Sequence, residues 1–161
     1  MFPESLFRDC NVVLFEDERT AEELFPMAVL RPSWEIRCGA GCLRFWLSSL
    51  KLPGLSVLMR PRPELAAMAI RLAGRDDDPP DPEMDTLFLN GRVISIRENE
   101  ESAGEFPDTV VDADGRILLA RVRGARAQKL LSLQGNELAA SLVQEANVPS
   151  MPSKWTVLYA R

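Results

Sequence analysis

The chain has no histidine, only one tyrosine, and three cysteines among its 161 residues. Without histidine there is no Ser-His-Asp triad, no Cys-His pair, no imidazole acid or base and no His-ligated zinc. Cys10, Cys38 and Cys42 are an odd number without a recurring spacing, which argues against a secreted disulfide framework. No apolar run approaches the ~20 residues of a membrane helix, and Phe2-Pro3-Glu4 does not open a signal peptide. A soluble cytoplasmic protein with no membrane partner is expected. Catalysis, if any, falls to carboxylates, Arg, Lys, backbone amides and a hard metal ion.

What is present fits one domain. Hydrophobic residues make up 46% of the chain, and a chain of this length buries roughly 70% of its unfolded surface. The net charge of −5 is unevenly spread: residues 1–75 carry +1, residues 76–114 carry −11 and residues 115–161 carry +5. An acidic middle and the lack of Lys/Arg runs interleaved with aromatics do not suit a nucleic-acid partner. Sixteen arginines against three lysines favour fork-like recognition of phosphate or carboxylate.

The pattern along the chain predicts an α/β fold. Asn11–Phe15 reads as a buried strand that ends at the acidic cluster Glu16-Asp17-Glu18. One helical turn is expected over Glu22–Phe25, and a helix after Gly39 and Gly41 carrying Leu43, Phe45, Trp46 and Leu50. Leu55–Met59 is a second strand, followed by a helix from Pro63 to Gly74 and a third strand, Thr86–Leu89. Strands alternating with helices imply right-handed βαβ units and a mostly parallel sheet. Asn90-Gly91-Arg92 reads as a hairpin turn leading into Val93-Ile94. Asp112-Ala113-Asp114-Gly115 joins Thr109–Val111 to Arg116–Ala120 as a second hairpin. A helix is expected from about Gln128 to Gln144 and a last strand over Trp155–Tyr159.

Arg31, Glu35, Arg37, Cys38 and Gly39 form the segment best suited to function. Two arginines six residues apart, beside glycines that open a helix, suit an anion, since guanidinium forks and free backbone N–H groups converge on it. The segment lies near the C-terminal end of strand one, where open α/β sheets place ligands. A structural alternative pairs these arginines with Glu16–Glu18. Asp112 and Asp114, two residues apart, have the spacing of a Mg²⁺ pair, but Asp-Gly between two apolar runs is a strong hairpin signal and the turn is the favoured reading. Cys38 and Cys42, one helical turn apart, read as core residues.

In order along the chain, Val13-Leu14-Phe15-Glu16-Asp17, Leu30-Arg31-Pro32, Glu35-Ile36-Arg37-Cys38-Gly39, Leu87–Arg92, Asp114-Gly115, Leu119-Ala120-Arg121 and Pro152–Trp155 resemble a known family. It is the sugar nucleotidyltransferase family, in particular a domain like that of an alternative bacterial N-acetylglucosamine-1-phosphate uridylyltransferase. The resemblance implies a three-layer α/β/α (GT-A-like) domain over residues 1–161. It also implies nucleoside triphosphate and sugar phosphate as partners, with UDP-N-acetylglucosamine chemistry and Mg²⁺ as cofactor. Arg31, Glu35, Arg37, Gly39, Asn90, Gly91, Arg92 and Arg121 would then bind substrate, with Asp17, Asp112 and Asp114 as metal candidates. Relatives usually carry a glycine-rich loop with an Arg after strand one. Here Arg31, Arg37 and Gly39 stand in its place, and Arg92 stands where relatives usually have a metal-binding Asp. The β-helix acyltransferase domain that often follows in this family is expected as a partner rather than as part of these residues. A non-catalytic regulatory or assembly module is the alternative.

Overall fold

A computed structural model describes residues 2–50, 52, 55–68, 80–98, 108–112, 114–145 and 155–159. The first strand, β1 (Cys10–Phe15), is buried on every residue because it is an interior strand of the sheet with layers on both faces. It is paired in parallel with β2 (Val57–Arg60) on one side and β3 (Asp85–Asn90) on the other. β6 (Ile117–Val122) runs antiparallel to β3, and β5 (Thr109–Val111) antiparallel to β6. The order is β2-β1-β3-β6-β5, so four of the five strands point one way.

Alternation along the strands divides the core in two. Val12, Leu14, Leu87 and Leu89 face a layer that holds Trp34 and α2 (Leu43–Ser49). Val13, Phe15 and Phe88 face the opposite layer, where α3 (Gly124–Leu130) and α4 (Gly135–Glu145) pack. This gives the expected three-layer α/β/α arrangement around a mostly parallel sheet. Each fully buried side chain of this size contributes about 1.5–3 kcal/mol. No described helix is long and apolar enough to cross a membrane.

The structure corrects four local expectations. The first helix, α1 (Glu18–Glu23), starts four residues earlier than expected, because Asp17 caps it by accepting from the Thr20 N–H at 2.6 Å. Asn90-Gly91 turns the chain but makes no hairpin: β4 (Val93–Glu98) leaves the main sheet and pairs antiparallel with β7 (Trp155–Tyr159). The helix expected over 128–144 is two helices, since the chain leaves α3 after Leu130 and re-enters at Gly135 with φ +51°. Cys38 is exposed and Cys42 lies just before α2, so only Cys10 is a core cysteine. The helix expected after Pro63 begins as a 3₁₀ turn, Pro63–Leu65; its end at Gly74 lies outside the described residues.

Candidate functional site

β1 and β3 end side by side, with Phe15 opposite Asn90. The chain leaves β1 toward β2 on one side and returns to β3 on the other, so their C-terminal ends flank a topological switch point. A 3₁₀ turn, Ser33–Glu35, is laid across these ends. Trp34 is fully buried beneath it, and the Ser33 N–H donates to Glu16 Oε2 at 2.8 Å. Gly91 is pressed against this turn while its N–H donates to the Phe15 carbonyl at 2.8 Å. A Cβ on Gly91 would lie 2.2 Å from Ser33 Oγ and 3.0 Å from the Trp34 nitrogen, so only glycine fits.

Glu16 holds this junction from below. Its fully buried carboxylate accepts from Arg62 Nη1 at 3.3 Å, and Arg62 also donates to the carbonyls of Ala28 and Val29. Burial pushes the Glu16 carboxyl above its usual range, opposed by the Ser33 N–H and the Arg62 guanidinium. The guanidinium paired with the acidic cluster is therefore that of Arg62, not those of Arg31 or Arg37. The alternative structural role considered for those two arginines is not the one the fold uses.

Anchored by Trp34, the arm from Arg31 to Gly41 presents its two arginines outward. Arg31 and Arg37 are exposed and make no ion pair among the described residues. They line one apolar groove of about 610 Å³ with Met27, Leu30 and Ile36. Arg37 also borders a cleft of about 120 Å³, whose other walls include Cys38, Gly41, Trp46, Gly91 and Arg92. Gly39 sits at the tip of the tight turn closed by the Cys38 N–H donating to the Gly41 carbonyl at 2.8 Å. Glu35 faces inward, paired with Arg44 on α2.

Across the cleft the charges are pinned. Arg92 is 2% exposed; Nη1 donates to Glu23 Oε2 at 3.0 Å and Nη2 to Asp112 Oδ2. Its guanidinium carbon lies 4.9 Å from the centre of the Tyr159 ring. Asp112 is shared with Arg116 at 2.7 Å, and Arg116 reaches back to Glu23. Burial raises the Asp112 pKa, but the Arg116 N–H, the Arg92 guanidinium and the Asp114 N–H outweigh it and hold the carboxyl below its usual range. Asn90 is buried, its Oδ1 accepting from the Arg92 N–H at 3.1 Å. Arg121 does not join these residues. It is paired in register with Leu87, toward the start of β3, and donates to the Leu6 carbonyl at 2.9 Å.

A family model described as sugar nucleotidyl transferase matches residues 12–158. The chain belongs to this family. No curated protein matches it. For the sugar nucleotidyl transferase fold, the end of β1 and β3 is thus the candidate site, and it brings together Arg37, Gly91 and Arg92 on one cleft, with Arg31 on the adjoining groove.

The three carboxylates considered for Mg²⁺ do not fit such an ion. Asp17 Oδ1 accepts from the Thr20 N–H as a helix cap, Asp112 is saturated by two guanidiniums and two backbone N–H groups, and exposed Asp114 pairs with Arg116 at 3.1 Å. No cluster of three metal-ligating side chains occurs among the described residues. Sequence reasoning missed Arg62 and Glu23. Their partners lie 46 and 69 residues away, and no local pattern signals such pairs.

Proposed function

We propose that this sugar nucleotidyl transferase domain binds a nucleoside triphosphate and a sugar 1-phosphate at the shared end of β1 and β3. In the intact protein it would join them. A phosphate oxygen of the sugar 1-phosphate attacks the α-phosphorus, a new P–O bond forms, and the bond to the departing pyrophosphate breaks. UTP and N-acetylglucosamine 1-phosphate are the pair the resemblance favours. The observation that carries this reading is Arg37, an exposed guanidinium without a carboxylate partner among the described residues, placed where cleft and groove meet. A fork in this position holds phosphate by charge-assisted hydrogen bonds and offsets charge that develops during transfer. The adjoining groove has the size range and apolar lining of a small-molecule site, which suits a base or sugar.

Calorimetry with UTP, dTTP and UDP-N-acetylglucosamine tests the reading. Binding of at least one, weakened by Arg37→Ala, is the expected result, and binding of none overturns it. A second reading, a module that keeps the fold without turnover, is favoured by Arg92, which is buried and ion-paired where relatives usually carry a metal-binding Asp. Pyrophosphate release from UTP and N-acetylglucosamine 1-phosphate distinguishes the two. Binding without release supports the module.

A further inference from the structure

Three large apolar side chains that border the cleft beside Gly91 are left open to solvent: Met27, Trp46 and Ile94. They come from the loop after α1, from α2 and from β4, so three parts of the chain build one apolar rim. Clustered apolar surface of this kind marks a place where something binds. Trp46 is 40% exposed, although tryptophan is highly buried on average. Its ring meets that of exposed Phe45 edge to face, with 6.1 Å between centroids. Gly41 makes room for both: a Cβ there would lie 2.9 Å from Phe45 Cδ1 and 3.2 Å from Trp46 Nε1. The indole is thus braced by Phe45 and Gly41 and still lines the cleft.

The lining is chiefly apolar, and its one exposed charge is Arg37, at the edge shared with the larger groove. A sugar brings several hydroxyl groups, each of which loses water on entering and needs a partner. A nucleobase brings two flat faces that need none, and an aromatic side chain covers such a face. We propose that the nucleobase enters this cleft and stacks on Trp46, with the phosphates at Arg37 and the sugar in the adjoining groove. The proposal deepens the nucleotide-binding reading and rests on it. Stacking discriminates little between bases, so the uracil and thymine nucleotides gain from the ring alike.

UTP, dTTP, UDP-N-acetylglucosamine and inorganic pyrophosphate are titrated calorimetrically into the wild-type chain and Trp46→Ala, whose melting curve checks folding. Nucleotide affinity is expected to fall about tenfold or more, while pyrophosphate, which has no base, is unaffected. Unchanged nucleotide affinity in the folded variant overturns the stacking role and leaves the nucleotide-binding reading standing. An equal loss for pyrophosphate would mean that the ring only shapes the site, which also overturns it. So would conversion of a dimer to a monomer at unchanged affinity, since the rim would then join two copies of the chain. No binding of any nucleotide by the wild type overturns both readings. Fluorescence gives a second test that does not need the alanine variant to fold. A stacked base quenches indole emission, so nucleotide should quench the wild type more deeply than Trp46→Phe, which keeps an aromatic ring. Equal quenching in the two, or none in the wild type at saturation, removes Trp46 from the site.

Discussion

Two sets of arginines stand at the same end of the sheet and are used in opposite ways. Arg31 and Arg37, on the arm over β1, are exposed and carry no ion pair among the described residues. Arg92 and Arg116, at the end of β3 and in the β5–β6 hairpin, share Glu23 and Asp112 and are largely buried. A guanidinium with its partners already built in holds the fold, whereas one without partners is available to a ligand. Arg92 belongs to the pinned set: Nη1 and Nη2 are held by Glu23 and Asp112, and its Nε is buried. Mutating the two sets should therefore move different observables.

The largest effect is expected at Arg92. Removing one member of a buried ion pair typically costs about 3–5 kcal/mol, and Arg92→Ala should fall near the low end because Arg116 still reaches both carboxylates. Urea unfolding measures it. A loss below about 1 kcal/mol would place Arg92 with the exposed arginines and erase the contrast.

Arg37→Ala and Arg31→Ala should do the reverse. Nucleotide affinity is expected to fall by roughly ten- to a hundredfold, or about 1.5–3 kcal/mol, with little change in melting temperature. Lys should restore only part of it, since a point charge lacks the planar fork. A stability loss with unchanged binding would show that this arm is structural after all.

The contrast also explains what could be read from sequence. The strands were legible because β1 and β3 are buried on both faces and write themselves as apolar runs, Asn11–Phe15 and Thr86–Leu89. The arm proposed to bind an anion could be singled out from sequence because its chemistry is local, two arginines and two glycines within eleven residues of chain. The pairing of β4 was not. Asn90-Gly91 is a genuine turn, but the partner of β4 lies some sixty residues on in β7, and a local turn signal cannot name it. The break between α3 and α4 was hidden because Leu130, Leu131 and Leu133 continue an apolar spacing across it. The pinned network was legible only as parts, since the sequence shows Asp112 and Asp114 as a turn with the spacing of a metal pair, and only the fold shows Arg92 and Arg116 occupying Asp112.

A smaller effect should separate the two regions by pH. The Asp112 carboxyl is held below its unfolded value, so its contribution is present above the unfolded pKa and is lost as pH falls through the folded one. Glu16 is raised, so its contribution is present below its unfolded pKa and is lost as pH rises through the folded value. Asp112→Asn should therefore destabilise the protein at neutral pH, and the gap to wild type should close on acidification below about pH 4. A gap that stays constant with pH would mean that the Asp112 charge contributes nothing beyond its hydrogen bonds.

The smallest effect is expected at Asp114, and its smallness carries information. Its side chain is 59% exposed and bonds Arg116 at 3.1 Å, so the pair is worth about 0–1 kcal/mol. If Asp114 only supports the hairpin, Asp114→Ala should shift stability within that range and leave nucleotide affinity unchanged, with or without Mg²⁺. A metal ligand would behave otherwise, losing affinity in Mg²⁺ alone while stability stayed the same. Affinity measured in both conditions, on a variant whose melting temperature is already known, tells a turn residue from a ligand. A Mg²⁺-specific loss would place a cation beside the hairpin and undo the division between pinned and free charges.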